Sequence, residues 1–296
     1  MTRTTTTTIA IVGAGRVGRA LARSLRAHGW NIGAVVTRSA ATARSAVRAI
    51  GGGHPHGVLT RRVLDADVVL IATPDDCIHD VAVRLARAGG EEWRGKVVLH
   101  TSGALDDRAL EPLARLGAAT GAMHPLQTFS GRGVPLLEGV AFVIQGHGRA
   151  RQEARRIART LGGAPVALRR AAKPAYHAAG TFAAPYFLTL VETAARILVR
   201  IGFSRRRARA VLLPLIRQTL ANYERFGARK AWTGPVARGD FSTVARHRAA
   251  LAEWPEEFSQ SYAALARLSA RVLDAHPERK LKQLDRVLPK TSTKKS

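Results

Sequence analysis

Residues 9–18 read IAIVGAGRVG, an apolar run followed by Gly13, Gly15 and Gly18 in the spacing G-x-G-x-x-G. The RALARSLRAHG that follows repeats its apolar residues at helical spacing and closes on Gly29. A strand, a glycine turn and a helix in that order make a dinucleotide-binding unit. Gly13 permits the tight turn, Gly15 lets backbone N–H groups approach a pyrophosphate, and Gly18 lets the helix lie close on the strand. The helix N-terminus favours the anion, and Arg16 and Val17, inside the turn, belong to the same cofactor contact. A glycine-rich turn that binds nothing is the competing reading; the strand and helix on either side weigh against it.

A second apolar strand, IGAVV over residues 32–36, ends in Thr37, Arg38 and Ser39. An NAD-specific fold carries an acid near this point, about 20 residues after the fingerprint, and Arg38 lies 38 − 18 = 20 positions after Gly18. Arginine there pairs with a 2′-phosphate, and the small hydroxyls beside it donate hydrogen bonds. NADP is therefore expected over NAD. The missing acid weighs more than the arginine itself, because arginines are abundant throughout the chain.

The length of 296 residues accommodates a nucleotide-binding domain and a second domain of similar size. Hydrophobic residues make up 46%, an ordinary globular share that argues against a disordered chain. No apolar stretch approaches the ~18 residues needed to span a membrane. The N-terminal TRTTTTT is polar and runs into the first strand, so no signal peptide is read, and a cytoplasmic protein is expected. Cys77 is the single cysteine, which excludes an internal disulfide and a cysteine-built metal site. The net charge of +26 attracts anions in general. Its arginines are scattered over many helices and aromatics are only 5%, so specific nucleic-acid binding is not expected.

The first half alternates strand and helix. VVLIAT (68–73) ends at Thr73-Pro74, KVVLHTSG (96–103) at Thr101-Ser102-Gly103, and residues 117–125, 139–146 and 164–168 are further candidate strands. An arginine-rich helix, 150–161, lies between the last two. Continuous apolar runs fit a parallel sheet covered on both faces, whose strand C-termini form the rim of a cofactor crevice. From Lys173 the chain becomes helical, with Pro174 in a first turn, Pro185 to kink or end the segment, and Gly202 as a cap. Helical spacing continues through 205–226, 240–252 and 257–275. The expected architecture is α/β: a Rossmann dinucleotide-binding domain over residues 1–169, an all-α domain over 170–288 and a basic disordered tail over 289–296. The apolar excess of the helical domain predicts a homodimer interface.

Three polar groupings interrupt apolar surroundings. They are the strand end HPLQTF with His124 and Gln127, the helix start KPAYH with Lys173 and His177 four residues apart on one face, and the loop TGPVARGD with Arg238. Together HPLQTF, KPAYHAAGTFAAPY and TGPVARGD resemble a family of Rossmann-like oxidoreductases whose C-terminal helical domain is of unknown function, DUF2520. The resemblance runs from about Ile9 to about Leu273. The family is similar in plan to pyrroline-5-carboxylate reductase, ketopantoate reductase and 6-phosphogluconate dehydrogenase. It implies a C-terminal domain like that of the last of these, and NADP-linked oxidation or reduction of a small molecule. The chain departs from the pattern at Ala184-Pro185, where related chains carry Ser-Asn and the asparagine orients substrate. Either Asn222 fills that role, or catalysis is weaker than the plan implies.

Hydride transfer needs a proton delivered to, or taken from, the atom bonded to the reacting carbon. A lysine at a desolvated helix start does this, since burial lowers its pKa, and the resemblance places a catalytic lysine at Lys173. His124 and His177 are the other candidate catalytic groups; a histidine on an apolar face also serves simply as a hydrogen-bonded core residue. Gln127 and Arg238 are candidate substrate contacts, Arg238 through its bidentate fork. Thr73, Pro74 and Ser102 are placed at the cofactor, although hydroxyl residues at strand ends also cap helices. The histidines lack any compact ligand spacing, so no metal is expected. The expectation is an NADP-dependent oxidoreductase for a small, anionic carbonyl or imine compound. The alternative is a dinucleotide-binding sensor or interaction protein without redox chemistry.

Overall fold

The computed structural model describes residues 7–131, 133 and 135–288, and the tail expected at 289–296 lies outside them. The chain divides into two compact units, one ending at Pro185 and the other beginning at Tyr186. The sequence reading placed that boundary at 169/170.

In chain order the first unit contains β1 (Thr8–Val12), α1 (Arg16–Ala27), β2 (Asn31–Val36), α2 (Ala40–Ile50), β3 (His54–His56), β4 (Val68–Ile71) and α3 (Asp75–Gly89). It continues through β5 (Val97–His100), α4 (Glu111–Ala114), β6 (Ala119–Pro125), β7 (Ala141–Gly146), α5 (Gly148–Thr160), β8 (Ala164–Ala167) and α6 (Lys173–Thr181). The eight strands form one sheet in the order β3-β2-β1-β4-β5-β6-β7-β8. All neighbours are parallel except β6 and β7, which run antiparallel with His124 opposite Val143.

Alternation along β1 shows why both faces are covered. Ile9 and Ile11 point into one buried cluster with Leu21 and Leu25 of α1, Ile50 of α2 and Ile157 of α5. Ala10 and Val12 point into the other, with Ile78 and Leu85 of α3, Trp93 and Leu113. The period-2 side-chain geometry of a strand produces this division, and helices on both faces explain the uninterrupted apolar runs. β3 went unread in the sequence because His-Pro-His carries no apolar pattern. It is a three-residue edge strand, where proline is tolerated.

The second unit contains α7 (Phe187–Arg200), α8 (Arg205–Ala231, broken at Gly227 with φ 75°), α9 (Pro235–Arg238), α10 (Phe241–Leu251), α11 (Glu256–Leu273) and α12 (Pro277–Val287). Val244, Ala263, Ala266, Ala270 and Leu284 form its small core. In α7 only Ala195 is buried and in α8 only Ala208, while Leu188, Ile201, Leu215 and Tyr223 are exposed. α12 was missed because its Leu281 and Leu284 are set among six charged residues of PERKLKQLDRV.

The run Arg170–Arg200 corrects the expectation that no stretch could cross a membrane. It is long and apolar enough by length and composition, with a mean hydropathy of 1.4 over its best window. Pro185 splits this run in the sequence. In the structure the residues Phe182–Tyr186 form a π-helical turn that carries the helix past the proline, so the apolar length is continuous.

Candidate active site

Two groups of residues line the C-terminal rim of β1, β4, β5 and β6. The first is the glycine turn. Gly13, at φ 92°, donates its N–H to the Val36 carbonyl at 2.9 Å. A Cβ on Gly13 would lie 2.7 Å from backbone atoms of Ala72 and Thr73, and one on Gly18 would collide with the Gly13 carbonyl oxygen. These two glycines are required by the fold itself. Gly15 is different, because a Cβ there meets nothing within 4 Å. It caps α1 without a side-chain hydrogen bond, and no acid stands in the first turn. Arg16 is exposed beside it, whereas the Val17 side chain packs against the core, leaving only its backbone for a ligand. Across the turn, Thr73 Oγ1 is buried without a hydrogen-bond partner. Open space above Gly15, an uncapped helix N-terminus and a free hydroxyl fit a dinucleotide pyrophosphate.

At the end of β2 the two hydroxyls expected at the cofactor serve the backbone. Thr37 Oγ1 donates to the Ser39 carbonyl at 2.9 Å, and Ser39 Oγ accepts the Thr42 N–H at 3.2 Å as the α2 N-cap. Arg38 is exposed between them, and its charge reaches Cys77 at the start of α3. Pro74 is the α3 N-cap residue and is exposed. Ser102 Oγ accepts the N–H groups of Ala104 and Leu105 at 3.1 and 2.9 Å, so its hydroxyl shapes the turn after β5.

The second group is built by β5, β6 and α6. Lys173, the first residue of α6, is 1% exposed, and its Nζ has no hydrogen-bond partner. Burial lowers its pKa to about 8, opposed by the charges of Asp106, Asp75 and Asp107. Asp106 is forked to Arg108 and Asp107 to Arg170, each with contacts of 2.7 Å, which holds both carboxyls below the usual range. His100, at the end of β5, is fully buried. Its Nδ1 accepts the Ser102 N–H at 3.2 Å, so its Nε2 carries the proton and donates to the Asp106 carbonyl at 2.9 Å. Burial, then the Lys173 charge, lowers the His100 pKa to about 4.

Tyr176 and His177 follow Lys173 by three and four residues, the spacing that shares one helix face. Tyr176 Oη lies 2.8 Å from His124 Nδ1, and the His124 and His177 rings meet edge-on with centroids 6.2 Å apart. Both imidazoles face Gly103, where a Cβ would stand 2.6 Å from His177 Cδ2 and 2.8 Å from His124 Nε2. Burial, Lys173 and then His177 lower the His124 pKa to about 4.

The structure thus gathers Lys173, His124 and His177, and adds His100, Gly103 and Tyr176, which the sequence reading had not singled out. The i+3 spacing from Lys173 was the available signal for Tyr176. Gln127 donates from its amide to the Leu136 carbonyl at 3.1 Å and accepts the Thr128 N–H at 2.7 Å, clamping the loop after β6. Asn222 and Arg238 lie in the second unit. Asn222 Oδ1 accepts from Gln218 one turn earlier at 2.8 Å, and Arg238 is the exposed last residue of α9. A cavity of about 420 Å³ is lined by Gln145, Gly146, Arg151 and the Asp107–Arg170 pair.

Residues 2–125 match the model of a Rossmann-like domain, and residues 140–269 match that of a domain of unknown function, DUF2520. The second match begins where the sheet turns antiparallel. No curated protein matches the chain. Among solved structures, a Bacteroides fragilis protein provisionally described as an NADP oxidoreductase shares the fold with a TM-score of 0.74 at 21% identity, over 89% of this chain and 98% of that one. Pyrroline carboxylate reductase of Plasmodium falciparum with NADP bound gives 0.57 at 13%, over 94% and 98%. Reductive aminase of Aspergillus terreus in complex with NADPH and ethyl-5-oxohexanoate gives 0.57 at 18%, over 95% and 93%. At these identities the likeness is one of fold.

Proposed function

We propose that this chain, a Rossmann-like domain followed by a DUF2520 domain, is an NADP-dependent oxidoreductase acting on a small, anionic carbonyl or imine compound. The observation that carries the reading is Lys173, whose Nζ is buried without a partner on the same strand rim as the open glycine turn. A buried, unpaired ammonium costs the fold free energy, and such groups concentrate at functional sites.

A bound reduced nicotinamide supplies a hydride; the chain orients the acceptor and handles the proton. Gly15 and the N-terminus of α1 hold the pyrophosphate, with Thr73 Oγ1 donating from the opposite side, and Arg38 pairs with the 2′-phosphate. Lys173, with a pKa of about 8, gives a proton to the oxygen or nitrogen that becomes negative on reduction, and removes one in the reverse direction. His124 and His177 orient the acceptor. We place the enzyme in the cytoplasm as a homodimer held through α7 and α8.

Calorimetric titration with NADPH, NADP, NADH and NAD, beside Arg38→Asp, tests the cofactor assignment. Tight NADPH binding that weakens selectively in the variant supports it, and no binding of any of the four overturns it. One observation favours a second reading, a cofactor-binding sensor: the π turn at Phe182–Tyr186 carries Ala184-Pro185 and offers no substrate-orienting amide. Cofactor binding without turnover over a broad carbonyl and imine panel would favour that reading.

A further inference from the structure

We propose that Tyr176 is a positioning residue that holds His124 as its Nε2–H tautomer, so that the site aims only donors at its substrate and selects a carbonyl oxygen over a cationic iminium or amine. This rests on the oxidoreductase reading for its chemistry, and on the geometry of the cluster alone for the tautomer.

The Tyr176 hydroxyl has one proton to give. Its hydrogen-bond partner among the described residues is His124 Nδ1, at 2.8 Å. With burial holding the phenol pKa at about 12, the proton stays on oxygen at every working pH. If His124 Nδ1 instead donated to the phenol oxygen, the half-buried O–H would be left without an acceptor. The satisfied arrangement has Tyr176 donating, Nδ1 accepting and the imidazole proton on Nε2. Nε2 packs toward Gly103, where the absence of a side chain is what admits the imidazole.

The charged and titratable groups that act on His124 are Lys173, His177, Asp75 and His100. Lys173 offers N–H donors. His100 is fully engaged by Ser102 and Asp106. Asp106 and Asp107, the neighbouring carboxylates, are each committed to an arginine. A ligand atom between His124 Nε2 and Lys173 Nζ therefore meets protons, and an electron-rich oxygen is the group that satisfies them. A protonated imine or amine would face the Lys173 charge, and the carboxylate left to offset it is Asp75, exposed to solvent in the first turn of α3.

The test is ¹⁵N-histidine NMR of the full chain, with oxamate as an oxo-acid mimic and pyrrolidine as a cationic mimic, recorded with and without NADP. The expected result is a protonated Nε2 and an accepting Nδ1 on His124 in the parent protein, and a tautomer mixture in Tyr176→Phe with NADP affinity unchanged. Oxamate should shift His124 and bind at least about tenfold more tightly than pyrrolidine, a difference of one charge-assisted hydrogen bond. A proton on Nδ1, an unchanged tautomer in Tyr176→Phe, or pyrrolidine binding as tightly as oxamate overturns the proposal. If Tyr176→Phe does not fold, the parent spectrum still decides the tautomer. Failure of NADP to bind would strike the oxidoreductase reading and leave the tautomer result standing.

Discussion

Lys173 helps to keep His100 neutral. After burial, the ammonium charge is the largest influence lowering the imidazole pKa to about 4. The unfolded chain, with an ordinary histidine near 6.5, takes up that proton first as the pH falls. Stability that is complete above pH 6.5 is therefore lost between 6.5 and about 4, by about 3 kcal/mol for this one group. Urea unfolding at pH 7, 5.5 and 4.5 should show the decline, and His100→Gln should reduce it, leaving the part due to His124, whose pKa is also lowered to about 4. A stability that does not vary over this range contradicts the account.

The same logic applied to Lys173 has the same sign and acts in a higher pH range. Its folded pKa of about 8 lies below the ordinary lysine value, so the charged form burdens the native state. Stability should rise as the pH climbs from about 8 towards 10.5. Lys173→Met, similar in volume and without charge, should stabilise the protein by up to about 3 kcal/mol at neutral pH. It should also lower turnover by about 10²-fold or more. A thermal melt and a rate measured on the same preparation decide both; a variant that is destabilised refutes the burial argument.

Gly15 and Gly18 should separate binding from folding. Gly15→Ala places its methyl in open space, so the melting temperature should stay within a few degrees while NADPH affinity falls at least about tenfold. Gly18→Ala forces a methyl onto the Gly13 carbonyl and should cost several kcal/mol, about the scale of a severe overpacking strain. Equal behaviour of the two variants would show that the turn serves packing alone.

Arg38→Asp should exchange the cofactor preference. Loss of the guanidinium removes a charge-assisted contact of about 1.5–3 kcal/mol, roughly tenfold to a hundredfold in NADPH affinity. The new carboxylate can accept from the ribose hydroxyls of NADH. Retained NADPH preference at moderate salt would mean that another group holds the phosphate.

The exposed face of α7 and α8 should close on a second copy of the chain. Leu188 and Leu215 are 66% and 64% exposed, and few side chains of either helix are buried. Glu192 and Arg196 on α7, with Arg205 on α8, form ion pairs, which suits a protein partner better than a hydrocarbon one. Sedimentation should give twice the monomer mass, and Leu188→Glu with Leu215→Glu should give the monomer. A monomeric parent that floats with lipid vesicles would point to a membrane instead.

The parts legible in the sequence were those encoded locally. The glycine spacing, the apolar strands and the i, i+4 relation of Lys173 and His177 each lie within a short window. Tyr176 meets His124 across 52 positions, and Gly103 matters only because two distant imidazoles converge on it. Periodicity carries no information about such meetings. Gln127, Ser102 and Ser39 were polar residues at promising places, and each turned out to satisfy nearby backbone groups; composition does not distinguish a hydroxyl that caps from one that binds. β3 escaped because an edge strand of three residues needs no apolar pattern.

The strand order also sets the sequence of events during synthesis. β2 and β4 take opposite sides of β1, and β5, β6, β7 and β8 then each join the strand made just before them. No strand has to wait for a later one to be inserted between it and its neighbour. The sheet can therefore grow at one edge as the chain leaves the ribosome, with the newest strand as its bare margin. A chain stopped after Pro125 would present β6, with its Met123 and Ala122, as an unpaired edge until β7 covers it, an interval open to edge-to-edge association.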